Sequence, residues 1–123
     1  MQGSALNKHD LRRSNVERAK CVVIISSKQS QNDEFEDHRN IIYAVADKKY
    51  VYAMLQREIR VCLQLIRPSN KDLYSRLYAS LMDQVICIEE LKLFLLAKTC
   101  LCPGITTIVS FLLTSNKPDY DVT

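Results

Sequence analysis

The chain has 123 residues, of which 47% are hydrophobic and 25% are charged, and its formal net charge is +3. This length fits one domain or a piece of one, and the composition is that of an ordinary globular protein. The small net charge and the interleaving of basic pairs with acidic residues argue against a nucleic-acid partner.

A short helix and a strand are the first predicted elements. Asn7 is a favourable N-cap for a helix over about residues 8–14. Residues 21–25 are five consecutive apolar side chains, mostly β-branched, which predicts a strand buried on both faces as in a parallel sheet. Residues 26–35 are polar and are predicted to form a loop after the strand.

A second helix is predicted from about Glu36. Acidic residues at its start and the basic pair Lys48 and Lys49 at its end both complement the helix dipole. Residues 50–55 either extend this helix or form a loop, and the pattern does not decide between the two.

Two further strands alternate with helices. Residues 61–66 and 85–88 are apolar runs typical of buried strands. Asn70 is predicted to cap the helix between them, which carries leucines at every fourth position (Leu73, Leu77 and Leu81). The last elements are a helix from Glu89 to about Leu101 and another over 105–113.

The last two predicted helices form a strongly apolar pair. Residues 93–113 contain a single charge, Lys98, and are long enough to cross a membrane. Pro103 and Gly104 break the segment into pieces too short to span, so we predict a buried helix–turn–helix instead.

Apolar side chains cover most of the circumference of both helices, whereas one sheet can bury only one face of each. We therefore predict a subunit or domain interface, because large apolar patches are rarely left in water. The alternative is that both helices pack entirely within a larger parent domain. The predicted interface residues are Leu91, Phe94, Leu95, Ile105, Ile108, Val109 and Leu112.

The predicted fold class is α/β, a partial Rossmann-like three-layer unit with parallel strands and a C-terminal helix–turn–helix. Right-handed crossovers make the three strands parallel. Neither glycine, Gly3 or Gly104, follows a strand as a phosphate-binding loop requires, so the chain is expected to be half of such a unit, with the cofactor-binding half missing or on another chain. We divide the chain into residues 1–88, the interface element 89–115 and a flexible tail 116–123.

The acidic segment 32–37 is the best candidate for ligand chemistry. It supplies four carboxylates and the Asn32 amide after the end of a strand, and hard cations take several oxygen ligands. The alternative is a solvated acidic turn that compensates the helix dipole. Catalysis finds little support, because no nucleophile elbow surrounds Ser26 and both histidines, His9 and His38, fit surface positions in first helical turns.

The cysteines indicate a reducing setting. Their number, five, excludes a complete disulfide framework, and Cys21, Cys62 and Cys87 lie in strand-like runs where we expect small buried side chains. Cys-x-x-Cys pairs are absent from the sequence, so we expect no zinc site and a cytoplasmic location.

Several segments, in the same order along the chain, resemble the RCK domains that regulate potassium conductance. Residues 15–25 resemble their helix-to-strand step, and residues 36–38 resemble the entry to the next helix. Residues 87–92 and 100–107 resemble the interface helix and helix–turn–helix of the first RCK domain in the Slo channel family. Residues 64–71 and the Cys-Leu-Cys-Pro turn at 100–103 resemble the Slack-like, sodium-activated branch more than the calcium-activated BK branch.

The resemblance implies the later part of a non-enzymatic RCK domain in the gating ring of an ion-activated potassium channel. It implies other RCK domains as partners in a homo-oligomer, a dimer or tetramer in the full channel. It also implies a cytoplasmic place beside a membrane-embedded pore. Asp37 stands where BK-type channels use an aspartate for calcium, and Asp33 lies near the second such position, so Ca²⁺ or Na⁺ is the implied ligand. The alternative is a nucleotide-dependent α/β enzyme that lacks its N-terminal half.

Overall fold

A computed structural model describes residues 3–27 and 31–114. The chain divides into two compact units, Met1–Glu89 and Glu90–Thr123. In order, the helices and strands are α1 (Lys8–Arg13), a 3-10 turn (Val16–Arg18), β1 (Cys21–Ile24), α2 (Asp33–Leu55), β2 (Arg60–Leu65), α3 (Pro68–Leu77), β3 (Gln84–Cys87), α4 (Ile88–Leu101) and α5 (Ile105–Thr114).

The first unit contains a parallel sheet of three strands in the order β1, β2, β3. Ile24 of β1 lies opposite Leu63 of β2, and Leu65 of β2 lies opposite Cys87 of β3. The parallel sheet expected from the sequence is therefore confirmed, with each strand boundary within one residue of its prediction.

The core lies on one face of this sheet. Val61, Leu63 and Leu65 of the central strand are buried there against Ile41 of α2 and Tyr74 of α3. A second cluster joins α1 to the far end of α2 and to the start of β2; its buried members are Leu11, Tyr50, Val51 and Ile59. Because side chains alternate between the two faces of a strand, every second residue of β2 lies in the core of the unit.

The opposite sheet face is exposed, so the prediction of a strand buried on both faces is wrong. Val23 is 64% exposed and Ile25, just past the strand, 69% exposed. Continuous apolar runs are typical of strands with helices on both sides. Among the described residues of the first unit, α2 and α3 pack on the core face of the sheet. We call the exposed surface the open face; its members are Cys21, Val23, Arg60, Cys62, Gln64, Gln84 and Ile86.

Helix α2 begins earlier than expected, so the acidic segment is not a loop. The Asn32 side chain accepts hydrogen bonds from the backbone N–H groups of Glu34 and Phe35, which caps a helix starting at Asp33. The open question about residues 50–55 is resolved, because α2 continues to Leu55.

Helix α3 begins at Pro68, and the prediction of Asn70 as its cap is wrong. Proline fits the first helical position because its fixed backbone angle suits the helix and its missing N–H is not needed there. Asn70 lies inside the first turn and is buried. Of the expected leucine row, Leu81 lies beyond the helix end, and the aromatic ring of Tyr74 occupies the core instead.

The C-terminal helix–turn–helix is present as predicted, but the expectation that it is buried is wrong for the described chain, because no described residue of α4 or α5 is buried. Gly104, between α4 and α5, has a positive φ of 91°, a conformation that side chains with a Cβ rarely adopt. Among the helices that the structure describes, none has the length and apolarity needed to cross a membrane. The predicted tail 116–123 lies outside the described residues.

Candidate functional site

Asp37 lies at the carboxyl edge of the sheet and is fully buried. One carboxylate oxygen, Oδ1, accepts the backbone N–H of Ile66 at 2.8 Å. The other, Oδ2, accepts the backbone N–H of Arg67 and the side-chain amide of Asn70, both at 2.9 Å. This carboxylate therefore ties the second turn of α2 to the connection between β2 and α3.

Glu36, the neighbour of Asp37, ties the same helix to the end of β1. Its Oε1 accepts the backbone N–H of Ser27 at 2.9 Å and pairs with the Arg39 guanidinium at 2.5 Å. Ser26 donates from its hydroxyl to the Gln64 carbonyl at 2.8 Å and accepts from the Asn40 amide at 3.1 Å. The start of α2 thus contacts the ends of both β1 and β2.

The structure places the two predicted metal ligands in different surroundings. Asp33 is half-buried in the first position of α2, whereas Asp37 is surrounded by N–H donors. Donors of this kind repel a cation, so the arrangement around Asp37 does not fit one. Among the residues described, no three His, Cys, Asp or Glu side chains are grouped to hold a metal. Metal binding by Asp33 and Asp37 stays a prediction.

The carboxylate of Asp83, whose side chain is also buried, lies at the opposite edge of the sheet. It pairs with the Lys48 ammonium and accepts from the backbone N–H of Val61 at 3.3 Å and the Tyr74 hydroxyl at 3.1 Å. Burial alone would raise the pKa of Asp83, but the hydrogen bonds, led by that from Lys48, outweigh it and the pKa is lowered. Burial, reinforced by the Asp83 charge, raises the pKa of Tyr74.

Asp47 is a third buried carboxylate on α2 and is less well compensated. It is 4% exposed, and its Oδ1 has no hydrogen-bond partner among the described residues. Burial raises the pKa of Asp47 to about 6. The periodic pattern of α2 gave no signal for it, since charged residues at such positions are usually solvated.

The predicted interface residues all lie on α4 and α5, where no described residue is buried. Leu91, Phe94, Ile108 and Leu112 are exposed, and Leu95, Ile105 and Val109 are half-buried. We call these seven side chains the helix-pair surface. Burying one such side chain contributes about 1.5–3 kcal/mol, so this surface has a large capacity for association.

The cysteines and histidines partly follow expectation. His9 and His38 are exposed, as predicted. Of the three strand cysteines only Cys87 is buried, so the expectation of burial is wrong for Cys21 and Cys62, which are half-exposed. The reason is that both lie on the open face, and the sequence does not show which strand face the chain leaves uncovered.

Comparisons with known proteins point to one group of channels. A family profile for the calcium-activated BK potassium channel alpha subunit matches residues 83–123. The calcium-activated potassium channel slowpoke of Drosophila melanogaster is 32% identical over 126 residues, which cover 98% of this chain and 10% of that protein. Human potassium channel subfamily T member 1 is 29% identical over 117 residues, covering 95% of this chain and 9% of that protein.

A solved structure supports the same relationship. The human SLO3 gating ring superposes with a TM-score of 0.76 at 29% identity, over 100% of this chain and 22% of that one. The α/β fold class with a parallel three-stranded sheet is confirmed by this match. The chain spans about a tenth of the length of the curated relatives it matches.

Proposed function

We propose that this chain is part of a cytoplasmic regulatory ring of an ion-activated potassium channel. The premise is that the chain is an RCK domain segment of the Slo potassium-channel family. In this role it carries no catalytic activity of its own. It transmits a change of state between neighbouring RCK domains, and the ring as a whole acts on the pore.

The observation that carries this proposal is the helix-pair surface. Seven predicted contact residues lie on two consecutive helices without a buried residue between them. A single apolar side chain on a surface needs no explanation, whereas seven on two consecutive helices favour a site of association. Other RCK domains, in the same subunit or in another one, are the partners we propose for it.

The open face of the sheet supports a second contact. Val23 and Ile86 are exposed on it, and they are the residue types that parallel sheets bury under helices. We propose that a further part of the channel subunit covers this face, so the chain is one half of a complete RCK layer.

A gating role requires a structural element with two arrangements that a ligand can bias. The start of α2 is well placed for this, because Glu36 and Asp37 hold the carboxyl ends of β1 and β2. A ligand that bound near this edge would act on the same hydrogen bonds. Whether Ca²⁺ or Na⁺ is that ligand is a separate proposal, resting on the resemblance alone.

No observation favours the alternative of an enzyme fragment. Ser26, which follows β1, uses its hydroxyl in hydrogen bonds with Gln64 and Asn40. His9 and His38 are both exposed.

Self-association of the purified chain tests the proposal. Phe94 on α4 and Phe35 on α2 are exposed to similar extents, 57% and 65%, so Phe94→Glu and Phe35→Glu are a matched pair. Sedimentation velocity at micromolar concentrations should show dimers or larger species for the wild type and for Phe35→Glu, and monomers for Phe94→Glu. A monomeric wild type, or equal dissociation by both variants, would contradict the helix-pair surface as the site of association.

A further inference from the structure

Two cysteines meet on the open face. Cys21 of β1 lies opposite Arg60, and Cys62 of β2 lies opposite Val23, so the two cysteines project from the same side of adjacent strands. Their Sγ atoms are 3.6 Å apart. We propose that Cys21 and Cys62 form a redox-responsive thiol pair that peroxide converts to an intrachain disulfide while the open face is uncovered.

The sulfur contact favours bond formation, although the backbones must also move. Neighbouring strands lie about 4.8 Å apart, and the register offsets Cys21 and Cys62 by two residues, or about 6.6 Å along the strands. Their Cα atoms are therefore about 8 Å apart, roughly 1 Å beyond the separation that a disulfide spans without backbone movement. The side chains already bring the sulfurs into van der Waals contact, so a bond of about 2.05 Å requires side-chain rotation together with a small approach of β1 to β2.

The reaction balances with one peroxide per disulfide. One thiolate attacks a peroxide oxygen, the O–O bond breaks, and the products are a sulfenic acid and hydroxide, which takes up a proton to become water. The second thiol, as its thiolate, attacks the sulfenic sulfur; the S–S bond forms, and the hydroxyl group leaves with a proton as a second water. Two thiols are oxidised and one peroxide is reduced to two waters.

The surroundings of Cys21 slow its oxidation by peroxide and favour rapid disulfide formation from the sulfenic acid. Burial and the neighbouring Cys62 raise the pKa of the Cys21 thiol, while the charge of Arg60 opposes this rise. The thiolate fraction is therefore small, which slows attack on peroxide. Once a sulfenic acid forms, the partner sulfur is already in contact with it, so the disulfide follows before further oxidation.

The other three cysteines differ in ways that allow a clean test. Cys87 is buried and donates its S–H to the Ile66 carbonyl at 3.2 Å. Cys100 and Cys102 are exposed, so oxidation would link them to other molecules. Replacing both by serine leaves Cys21, Cys62 and Cys87 and removes this competing reaction.

The test oxidises the Cys100→Ser, Cys102→Ser chain with hydrogen peroxide, then alkylates it with N-ethylmaleimide in denaturant. The expected result is a loss of about 2 Da and a fall from three alkylated cysteines to one, both reversed by dithiothreitol. Trypsin, cleaving after Lys20 and Arg60, should release residues 21–28 joined to residues 61–71 as one disulfide-linked peptide.

A Cys62→Ser variant in the same background is the matched control. Without a partner thiol, the sulfenic acid at Cys21 should persist long enough to be trapped by dimedone, whereas the parent chain gives little adduct. The proposal is overturned if the folded parent chain, verified by circular dichroism, keeps three alkylated cysteines. It is equally overturned if Cys21 reaches the sulfinic acid with Cys62 still free. Neither result depends on whether the chain associates with other RCK domains.

Discussion

Replacing Asp37 by alanine should destabilise the first unit strongly. The carboxylate accepts three hydrogen bonds, two of them from the backbone of Ile66 and Arg67 and one from the amide of Asn70. Hydrogen bonds to a charged group contribute about 1.5–3 kcal/mol each, and a buried donor left without a partner costs about 1–3 kcal/mol. Arg67 is an exposed residue, so water can replace part of the loss at its N–H.

With the bond to Arg67 set aside, the two remaining bonds total about 3–6 kcal/mol, and we expect the free energy of unfolding to fall by about that amount in Asp37→Ala. Urea unfolding followed by circular dichroism measures this change. Asp33→Ala is the matched control, because Asp33 is half-buried at the start of the same helix and interacts mainly with the helix dipole. Its loss should cost about 0.3–1 kcal/mol. Equal effects of the two substitutions would refute the assignment of Asp37 to the connection between β2 and α3.

Three other predictions concern charged groups of the first unit. Burial raises the pKa of Asp47 to about 6, above its unfolded value, so this group reduces stability as pH rises through about 4 to 6. Asp47→Asn should be more stable than the wild type in urea at pH 7, with the gain fading toward pH 4; a pH-independent difference would contradict this. Lys48→Met leaves a buried carboxylate unpaired and should cost about 3 kcal/mol, while Lys49→Met, at an exposed position, should change the urea midpoint little. Isothermal calorimetry with Ca²⁺ and Na⁺ should give equal heats for wild type and Asp37→Ala, because N–H donors surround this carboxylate; a heat lost in the variant would instead support it as a cation ligand.

The strands and helices were predictable where a single pattern dominated. The three apolar runs gave β1, β2 and β3 to within one residue, and Pro103 with Gly104 marked the turn between α4 and α5. These elements are determined mainly by residues that are neighbours in the sequence, so the sequence alone is enough to predict them.

The wrong predictions concern residues whose environment depends on contacts with distant parts of the chain. Asn70 has the side chain of a helix cap, yet it donates to Asp37, which is 33 residues away in the chain. Arg67 and Pro68 start α3 instead, because the proline suits the first turn. Likewise, the alternation of side chains on a strand does not indicate which face helices will cover, so the exposure of Cys21 and Cys62 was not foreseeable.

The burial of Glu36 and Asp37 also depends on contacts with residues that are distant in the sequence. Glu36 and Asp37 fit a solvated first helical turn by sequence. In the structure they are buried, and they accept hydrogen bonds from backbone N–H groups of residues that follow β1 and β2. Only the resemblance to a known domain singled out Asp37, and it did so as a cation ligand and not as an acceptor of backbone hydrogen bonds.

Concentration-dependent amide hydrogen exchange tests the central claim most directly. If the helix-pair surface binds another copy of the domain, exchange in peptides from 88–114 should slow as the chain concentration rises from below one micromolar to about one hundred micromolar. Peptides from α3, over 68–77, should exchange at the same rate throughout. Protection that is independent of concentration, or that is gained on the open face and not on α4 and α5, would contradict the account.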